Sequence, residues 1–198
     1  MTPYIAESSR PTPAWDLIHP IRKENASHVV HFHRNALFHE GTPVIADRTT
    51  EHCETIWQDF FNHGKTRGER AFKIEQNGEM AGFIHYGPIP APDDYKKDTH
   101  CAAIHQLYIK SENRCHGFGT SFFNYAFRSL QEKKLDVLFV SAQKNSDAAH
   151  YFLEKQHATK LKDQQSYNVP STLYAINLQR PQESIEPFMK QTLQAVPA

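Results

Sequence analysis

The sequence "ENRCHGFGTSFFNYAFRSL", residues 112–130, joins a glycine-containing loop to an apolar segment. Only 8 of the 198 residues are glycine, yet Gly117 and Gly119 both lie in this stretch. Apolar residues recur at helical spacing over residues 118–130, which predicts a helix that begins beside the glycines. The preceding segment, residues 101–109, is predicted to be an apolar strand. The stretch therefore indicates a strand, a short loop and a helix in direct succession.

A loop in this position can bind an anion. The first amides of a helix have no partner within the helix, and the helix dipole is positive at that end. Gly117 and Gly119 let the backbone approach a phosphate without a Cβ in the way, and they allow the φ angles that such a turn requires. Arg114 adds positive charge, and Thr120 adds a hydroxyl. Residues 114–120 are therefore predicted to bind a phosphate-bearing ligand.

The identity of that ligand is narrowed by what the loop lacks. A dinucleotide-binding fingerprint requires a third glycine where Phe122 stands. A P-loop requires a lysine after Gly119, and Thr120 follows instead. These absences argue against a flavodoxin-like or other nucleotide-binding α/β module.

Residues 114–119 read R-x-x-G-x-G, and here the chain resembles the GNAT superfamily of acyl-CoA-dependent N-acyltransferases, in which this loop holds the CoA pyrophosphate. The order of strand, turn and helix is also similar to that family. Asn145, followed by "AAHYFLEK" at residues 148–155, resembles the family's next strand-to-helix segment. The resemblance covers residues 16–178, and within the superfamily it is to small bacterial acetyltransferases of undefined substrate.

The remaining elements follow from periodicity and turn signals. They are a strand at 15–22 with Pro20 indicating a sheet edge, helices at 24–38 and from Thr49 or Thr50, a hairpin at 70–87 with a type I′ turn at Asn77-Gly78, a strand at 135–142, a helix at 147–156 and a strand at 171–178. With the resemblance, this order predicts an α/β fold with a GNAT-like mixed, splayed central sheet of six to seven strands and about four helices on both faces. We expect one domain at 14–180, an extended arm at 1–13 and a tail at 181–198.

The resemblance implies acetyl-CoA as co-substrate. In that fold the strand containing residues 107–109 splays away from the strand at 137–141, and unpaired backbone groups in the gap bind the pantetheine arm as an added strand would. Ile109 is the expected backbone donor, and Asn145 is expected to bond the pantetheine or a water beside it. The expected cofactor-binding residues are Leu107, Tyr108, Ile109, Arg114, Cys115, His116, Gly117, Phe118, Gly119, Thr120 and Asn145.

The catalytic base and acid are less directly implied. The family often uses a carboxylate on the splayed strand as base, and Ala103 stands at that position. His105 lies two residues on, hence on the same face of a strand, and the ordinary pKa of histidine near 6.5 suits a general base. The family's usual acid is a tyrosine where this chain has Leu153, and Tyr151 is the nearby candidate. The family's Gly-Phe after this helix is replaced by His157 and Ala158.

These residues favour an N-acetyltransferase that moves an acetyl group from acetyl-CoA to a primary amine by direct attack in a ternary complex. The acceptor class is a small molecule or a peptide, and its identity is not fixed by the sequence. The replaced base and acid positions leave open a catalytically weak or inactive relative that binds CoA or acyl-CoA.

Composition excludes several other classes of function. Lys plus Arg equals Asp plus Glu at 22 each, so no overall charge favours nucleic acid or an anionic membrane. No apolar run approaches the ~18 residues of a membrane span. The three cysteines are widely spaced and the first residues do not resemble a signal peptide, so we expect a cytoplasmic protein. We also expect that the late strand and the tail could mediate a homodimer.

A metal site at the early histidines is not expected. His28, His31, His33 and His39 do not share one helix face, and no carboxylate or cysteine completes a shell. Solvated histidines are the expected reading.

Overall fold

The computed structural model describes residues 14–39, 49–166, 169–181 and 183. The predicted arm at 1–13, most of the tail at 181–198, and the stop of the first helix near residues 41–43 lie outside the described residues. The strands are β1 (Ile18–Pro20), β2 (Arg70–Gln76), β3 (Glu79–Ile89), β4 (Cys101–Ile109), β5 (Val137–Gln143), β6 (Thr159–Ser166) and β7 (Val169–Asn177). The α-helices are α1 (Ala26–His39), α2 (Thr49–Asp59), α3 (Phe118–Glu132) and α4 (Asp147–Lys155).

The seven strands form one sheet in the order β1-β2-β3-β4-β5-β7-β6. β4 and β5 are parallel, and the other neighbouring pairs are antiparallel. This mixed sheet with four helices confirms the predicted fold class. Within the described residues, no helix combines the length and the apolarity needed to cross a membrane.

The β2–β3 hairpin has the predicted two-residue turn. Gln76 pairs with Glu79 across it, and both turn residues have positive φ, 54° at Asn77 and 80° at Gly78. A type I′ turn requires this geometry because its twist matches that of the strands. β1 is shorter than predicted, since residues 14–17 form a 3-10 turn, but it lies at the sheet edge as Pro20 indicated.

β6 is the strand that the chain's periodicity does not reveal. Its sequence, "TKLKDQQS", contains one aliphatic residue, Leu161, which packs against a small core cluster at this end of the sheet. β6 covers the outer edge of β7, whose other edge pairs with β5. β7 therefore has no open edge to offer a second copy, and the homodimer stays a prediction.

The sheet has a different apolar layer on each face. α3 packs on one face through Phe122, Ala126 and Leu130, which are fully buried. α1 and α2 cover the other face, where Trp57 is also fully buried. We refer to these as the α3 face and the α1–α2 face.

β4 and β5 part along their length. They pair at four positions, from Cys101 opposite Val137 to Ile104 opposite Val140. Beyond these positions β4 continues through Ile109 and β5 through Gln143 without pairing to each other. The space bounded by residues 105–109 and 141–143 is called the gap below.

Candidate functional site

The glycine loop leaves backbone donors uncapped at the start of α3. Gly117 is the N-cap residue, its φ is 81°, and no side chain caps the helix. The first intrahelical bond runs from the Ser121 amide to the Gly117 carbonyl at 2.9 Å, so the amides of residues 118–120 precede it. A Cβ added at Gly117 would meet no atom within 4 Å. The loop therefore combines donors with open space, which is what an anion requires.

The residues before Gly117 fold back onto the end of β4. Arg114 Nε donates to the Ile109 carbonyl at 3.0 Å, and its guanidinium lies 5.7 Å from the centre of the Tyr108 ring. His116 Nδ1 donates to the Arg114 carbonyl at 2.8 Å. Cys115 has a φ of 63°, a left-handed conformation that costs a non-glycine residue about 1 kcal/mol. These contacts hold a cationic side chain between the loop and the gap.

The gap receives backbone groups from alternate residues of β4. Lys110 donates its amide to the Ala81 carbonyl of β3 at 2.9 Å. Facing residues in an antiparallel pair alternate between bonded and non-bonded positions, so the peptide groups of Ile109 and Leu107 face away from β3 and into the gap. The Ile109 carbonyl accepts the hydrogen bond from Arg114, and the Ile109 amide is directed into the gap. The structure thus places the predicted donor where an extended ligand could pair with it.

The side chains of three other predicted cofactor contacts lie in different places. The Tyr108 ring lies on the α1–α2 face, 5.7 Å from the Phe32 ring, whereas Leu107 packs toward the α3 face. Asn145 is exposed in the turn between β5 and α4, two residues beyond the open end of β5.

A β-bulge directs His105 toward the α1–α2 face. His85 of β3 is opposite Gln106, and Tyr86 is opposite Ile104, so His105 is an extra residue in β4. Ile104 and Leu107 both pack on the α3 face, which leaves His105 and Gln106 together on the other face. Ala103 is also on that face and packs against the cluster around Tyr95 and Phe139, so its position beside His105 is as the alternation predicted.

The bulge brings His105 to two side chains that the sequence did not single out. The ring centres of His105 and His85 are 4.8 Å apart. His85 Nε2 and Glu69 Oε2 are 3.0 Å apart, and the other Glu69 oxygen accepts from Arg67 Nε at 2.6 Å. We call these three residues the Glu69–His85–His105 cluster. No local pattern could reveal it, because the β3–β4 register and the turn before β2 bring its members together.

Burial keeps both imidazoles of this cluster neutral near pH 7. It lowers the pKa of His105 below 6.5, and the Glu69 carboxylate opposes part of that effect. Burial also lowers the pKa of His85 to about 4, with a further contribution from His105. A neutral His105 can accept a proton, which is the property that a general base needs.

The helix predicted to supply the acid places its residues on opposite sides. Leu153 is 3% exposed and belongs to the core of the α3 face. Tyr151 is 62% exposed, and the Lys155 ammonium lies 5.2 Å from its ring centre. His157 has a φ of 59°, the conformation for which a glycine would be favoured after a helix. Tyr151 thus faces solvent, and its role as an acid stays a prediction.

The early histidines do not behave as one group. His28 is exposed, and His31 bonds to Arg34 and Asn35 of its own helix. The expectation of solvated histidines is wrong for His33, which is 5% exposed and accepts from Trp57 Nε1 at 3.2 Å. The His33 ring thereby gives the buried Trp57 indole N–H the hydrogen-bond partner that it needs inside the core. The side chain of His39 lies outside the described residues.

The comparisons with known proteins agree with this fold. The sequence model of the acetyltransferase (GNAT) family matches residues 30–158. Among curated proteins, no sequence matches this chain significantly.

Several solved structures share the fold. The ribosomal-protein-alanine N-acetyltransferase from Brucella melitensis is 17% identical with a TM-score of 0.62, and the alignment covers 81% of this chain and 99% of that one. The PaiA N-acetyltransferase from Thermoplasma acidophilum, solved with coenzyme A, is 12% identical with a TM-score of 0.61 over 81% and 97% of the two chains. A GNAT-family acetyltransferase from Staphylococcus aureus Mu50 is 12% identical with a TM-score of 0.61 over 81% and 98%. At these identities the likeness concerns the fold alone.

Proposed function

Because the chain belongs to the acetyltransferase (GNAT) family, we propose that it moves an acetyl group from acetyl-CoA to a primary amine by direct attack in a ternary complex. One observation carries this proposal: the uncapped amides at the start of α3 lie beside the gap where β4 and β5 part. The amides suit a diphosphate, and the gap suits an extended amide-containing arm.

In this proposal acetyl-CoA is held by backbone groups more than by side chains. The diphosphate lies against the amides of residues 117–120, where the helix dipole stabilises its charge. Arg114 contributes a cation at the same end, and Cys115 and His116 shape the turn. The pantetheine arm runs along residues 107–109 and pairs with the Ile109 amide, and Asn145 bonds the arm or a water beside it.

The chemistry removes two protons from the acceptor ammonium and supplies one to the thiolate. The acceptor arrives as an ammonium and loses a proton to His105, so that its lone pair can form the C–N bond to the acetyl carbon. The tetrahedral intermediate then breaks the C–S bond and expels the CoA thiolate. We assign the proton that the thiolate receives to Tyr151, and the second proton of the acceptor nitrogen, released as the amide forms, restores the tyrosine hydroxyl through solvent. Holding amine and thioester together supplies much of the rate gain without either residue.

Calorimetric titration with acetyl-CoA tests the cofactor site. Gly117→Glu puts a carboxylate into the open space beside the amides, and we expect its affinity for acetyl-CoA to fall at least 30-fold. Gly78→Glu is the matched control, because Gly78 has a φ of 80° and equally open surroundings but lies in the β2–β3 turn. Equal affinity in wild type and Gly117→Glu would reject the proposed site.

A second candidate is a protein that binds CoA or acyl-CoA without turnover. It is favoured by Ala103 and Leu153, which stand where the family has its base and its acid and which carry no group that exchanges protons. Both side chains are packed in apolar clusters. Release of free thiol from acetyl-CoA separates the two candidates. The panel of amines includes polyamines, amino acids, aminoglycosides and peptide N-termini. Peptide N-termini are included because the Brucella melitensis enzyme is named for an alanine of a ribosomal protein. Tight binding with no release across this panel would favour the second candidate.

A further inference from the structure

We propose that His105 takes up the amine proton and that protons then shift from His105 toward His85 and from His85 toward Glu69. His85 and Glu69 thereby act as positioning residues for the acetyl transfer proposed above. The Glu69–His85–His105 cluster is then a directional chain of acid–base groups that leads from the gap into the protein. The inference rests on the proposed function, and it concerns residues outside the cofactor site.

The contact with Glu69 fixes the tautomer of His85. An ionised carboxylate can only accept hydrogen bonds, so the hydrogen between Glu69 Oε2 and His85 Nε2 is carried by His85. The neutral ring then has its lone pair on Nδ1. This Nδ1 atom is buried and, in the part of the chain that the structure describes, it has no hydrogen-bond partner.

His105 presents a complementary atom. Its Nε2 is also buried without a partner among the described residues, and the two ring centres are 4.8 Å apart. Buried polar atoms without partners are rare because each costs about 1–3 kcal/mol. An Nε2–H on His105 would satisfy both atoms by donating to His85 Nδ1, directly or through one water.

This arrangement sets the direction of proton transfer. With Nε2 protonated, His105 keeps its lone pair on Nδ1. The His105 side chain is also less buried than that of His85. The amine proton adds to His105 Nδ1, the Nε2 proton shifts toward His85 Nδ1, and the His85 Nε2 proton shifts toward Glu69 Oε2. Deprotonation of the ammonium and protonation of the cluster balance, and the cluster releases one proton to water after the amide product has formed.

The surrounding charges make such a chain workable. The Glu69 carboxylate raises the pKa of His105 against the effect of burial, so it stabilises the imidazolium that forms. Arg67 bonds the second oxygen of Glu69 and also pairs with Asp59, which fixes the carboxylate toward His85. Electrostatic interactions also join His85 to His33 of α1 and to Asp59 of α2, and these two residues interact in turn with His52 and His63, respectively.

A metal ion is the competing explanation for this cluster. The three side chains could each offer one ligand atom within 4.8 Å of the others. However, Glu69 bonds one edge of the His85 ring, whereas the unpartnered His85 Nδ1 lies on the other edge. A zinc shell requires ligand lone pairs that converge on one point, and the His85 lone pair lies on the ring edge away from Glu69.

The tautomers can be measured without any turnover. Long-range ¹H–¹⁵N spectra of the imidazoles, assigned with His85→Gln and His105→Gln, should show neutral His85 protonated at Nε2. We expect Glu69→Gln to lower the pKa of His105 further, because the carboxylate that raises it is gone. A neutral His85 protonated at Nδ1, or a His105 pKa unchanged in Glu69→Gln, would overturn the proposal. This arm decides the proposal even if no amine supports turnover and the proposed function fails.

Kinetics with an accepted amine test the consequence for the reaction. His85→Gln keeps a donor for Glu69 and an acceptor for His105 but cannot take up a proton, and we expect kcat to fall about tenfold with KM for acetyl-CoA within twofold. In Glu69→Gln the acid limb of the kcat/KM profile should move to lower pH. His33→Gln is the matched control, since it removes another buried histidine that lies outside the cluster.

Two results would contradict the relay. The first is a kcat and a pH profile for His85→Gln and Glu69→Gln that match those of His33→Gln. The second is one equivalent of Zn²⁺ bound to wild type, measured by calorimetry with zinc chloride, and lost in His85→Gln.

Discussion

Two side chains exchange protons directly with the reactants in the proposed reaction, and one of them is at the surface. Tyr151 is 62% exposed, so replacing its hydroxyl disturbs little of the core. If Tyr151 protonates the thiolate, Tyr151→Phe should lower kcat about tenfold or more and leave acetyl-CoA binding unchanged. Stopped-flow detection of free thiol measures this rate. A loss below twofold would assign the thiolate proton to the acceptor amine itself.

The sequence could predict the placement of those residues whose surroundings are set by neighbours in the chain. Gly117 and Gly119 were identifiable because a strand, a turn and a helix start follow one another directly. His105 was identifiable because strand residues alternate, and the bulge preserved its face relative to Ala103. Glu69 and His85 could not be predicted, since their proximity to His105 depends on strand register over long separations.

Among the secondary-structure elements, β4 connects the cofactor gap to the acid–base cluster, and Gly82 of β3 sets its position. A Cβ at Gly82 would lie 2.5 Å from both the Tyr108 carbonyl oxygen and Ile109 Cδ1. Because a backbone atom cannot rotate away, we expect Gly82→Ala to lower the free energy of unfolding by about 1–3 kcal/mol. Urea denaturation followed by tryptophan fluorescence measures this change.

The control for that strand contact is Gly119→Ala. An added Cβ there is 4.0 Å from its nearest neighbour, Ile109 Cγ1, and alanine favours the helix. Its free energy of unfolding should be equal to or above that of wild type. A Gly82→Ala protein as stable as Gly119→Ala would show that β3 and β4 are not in close contact at this end.

The elements that the sequence revealed carry strong local signals, and the missed one does not. The hairpin turn needs positive φ at Asn77 and Gly78, which few other residue pairs tolerate so well. β6 has neither alternation nor a turn signal, because it is an edge strand with one apolar contact at Leu161. Its pairing with β7 decides its structure, and that pairing is not visible in a short window of sequence.

The stability of the whole chain should depend on its buried histidines. Burial lowers the pKa of His33 and of His85 to about 4 in the folded state, compared with 6.5 when unfolded. The unfolded chain therefore binds protons first as the pH falls, and stability that is present above pH 6.5 is lost between about pH 6.5 and 4. We expect a loss of about 2 kcal/mol per histidine between pH 6.5 and 5.

Urea denaturation at pH 7 and pH 5 measures this loss. The window avoids the carboxylates whose pKa is lowered, such as Glu75 with an ordinary value of 4.5, because they lose their contribution only at lower pH. His33→Gln should lose about 2 kcal/mol less than wild type over this window, since only His85 and His105, whose pKa burial also lowers, then remain. A variant with the full loss would mean that His33 does not contribute.

The extra residue in β4 also has a consequence for how this protein could tolerate insertions and deletions. Removing one residue at Gln106 would restore an uninterrupted ladder with β3, place His105 opposite His85, and leave every later position of the strand on its present side. The side chains of Leu107 and Ile109 would stay on the α3 face, and the same amides would line the gap. The bulge can therefore absorb a one-residue deletion while the gap and the imidazole of His105 keep their sides of the sheet.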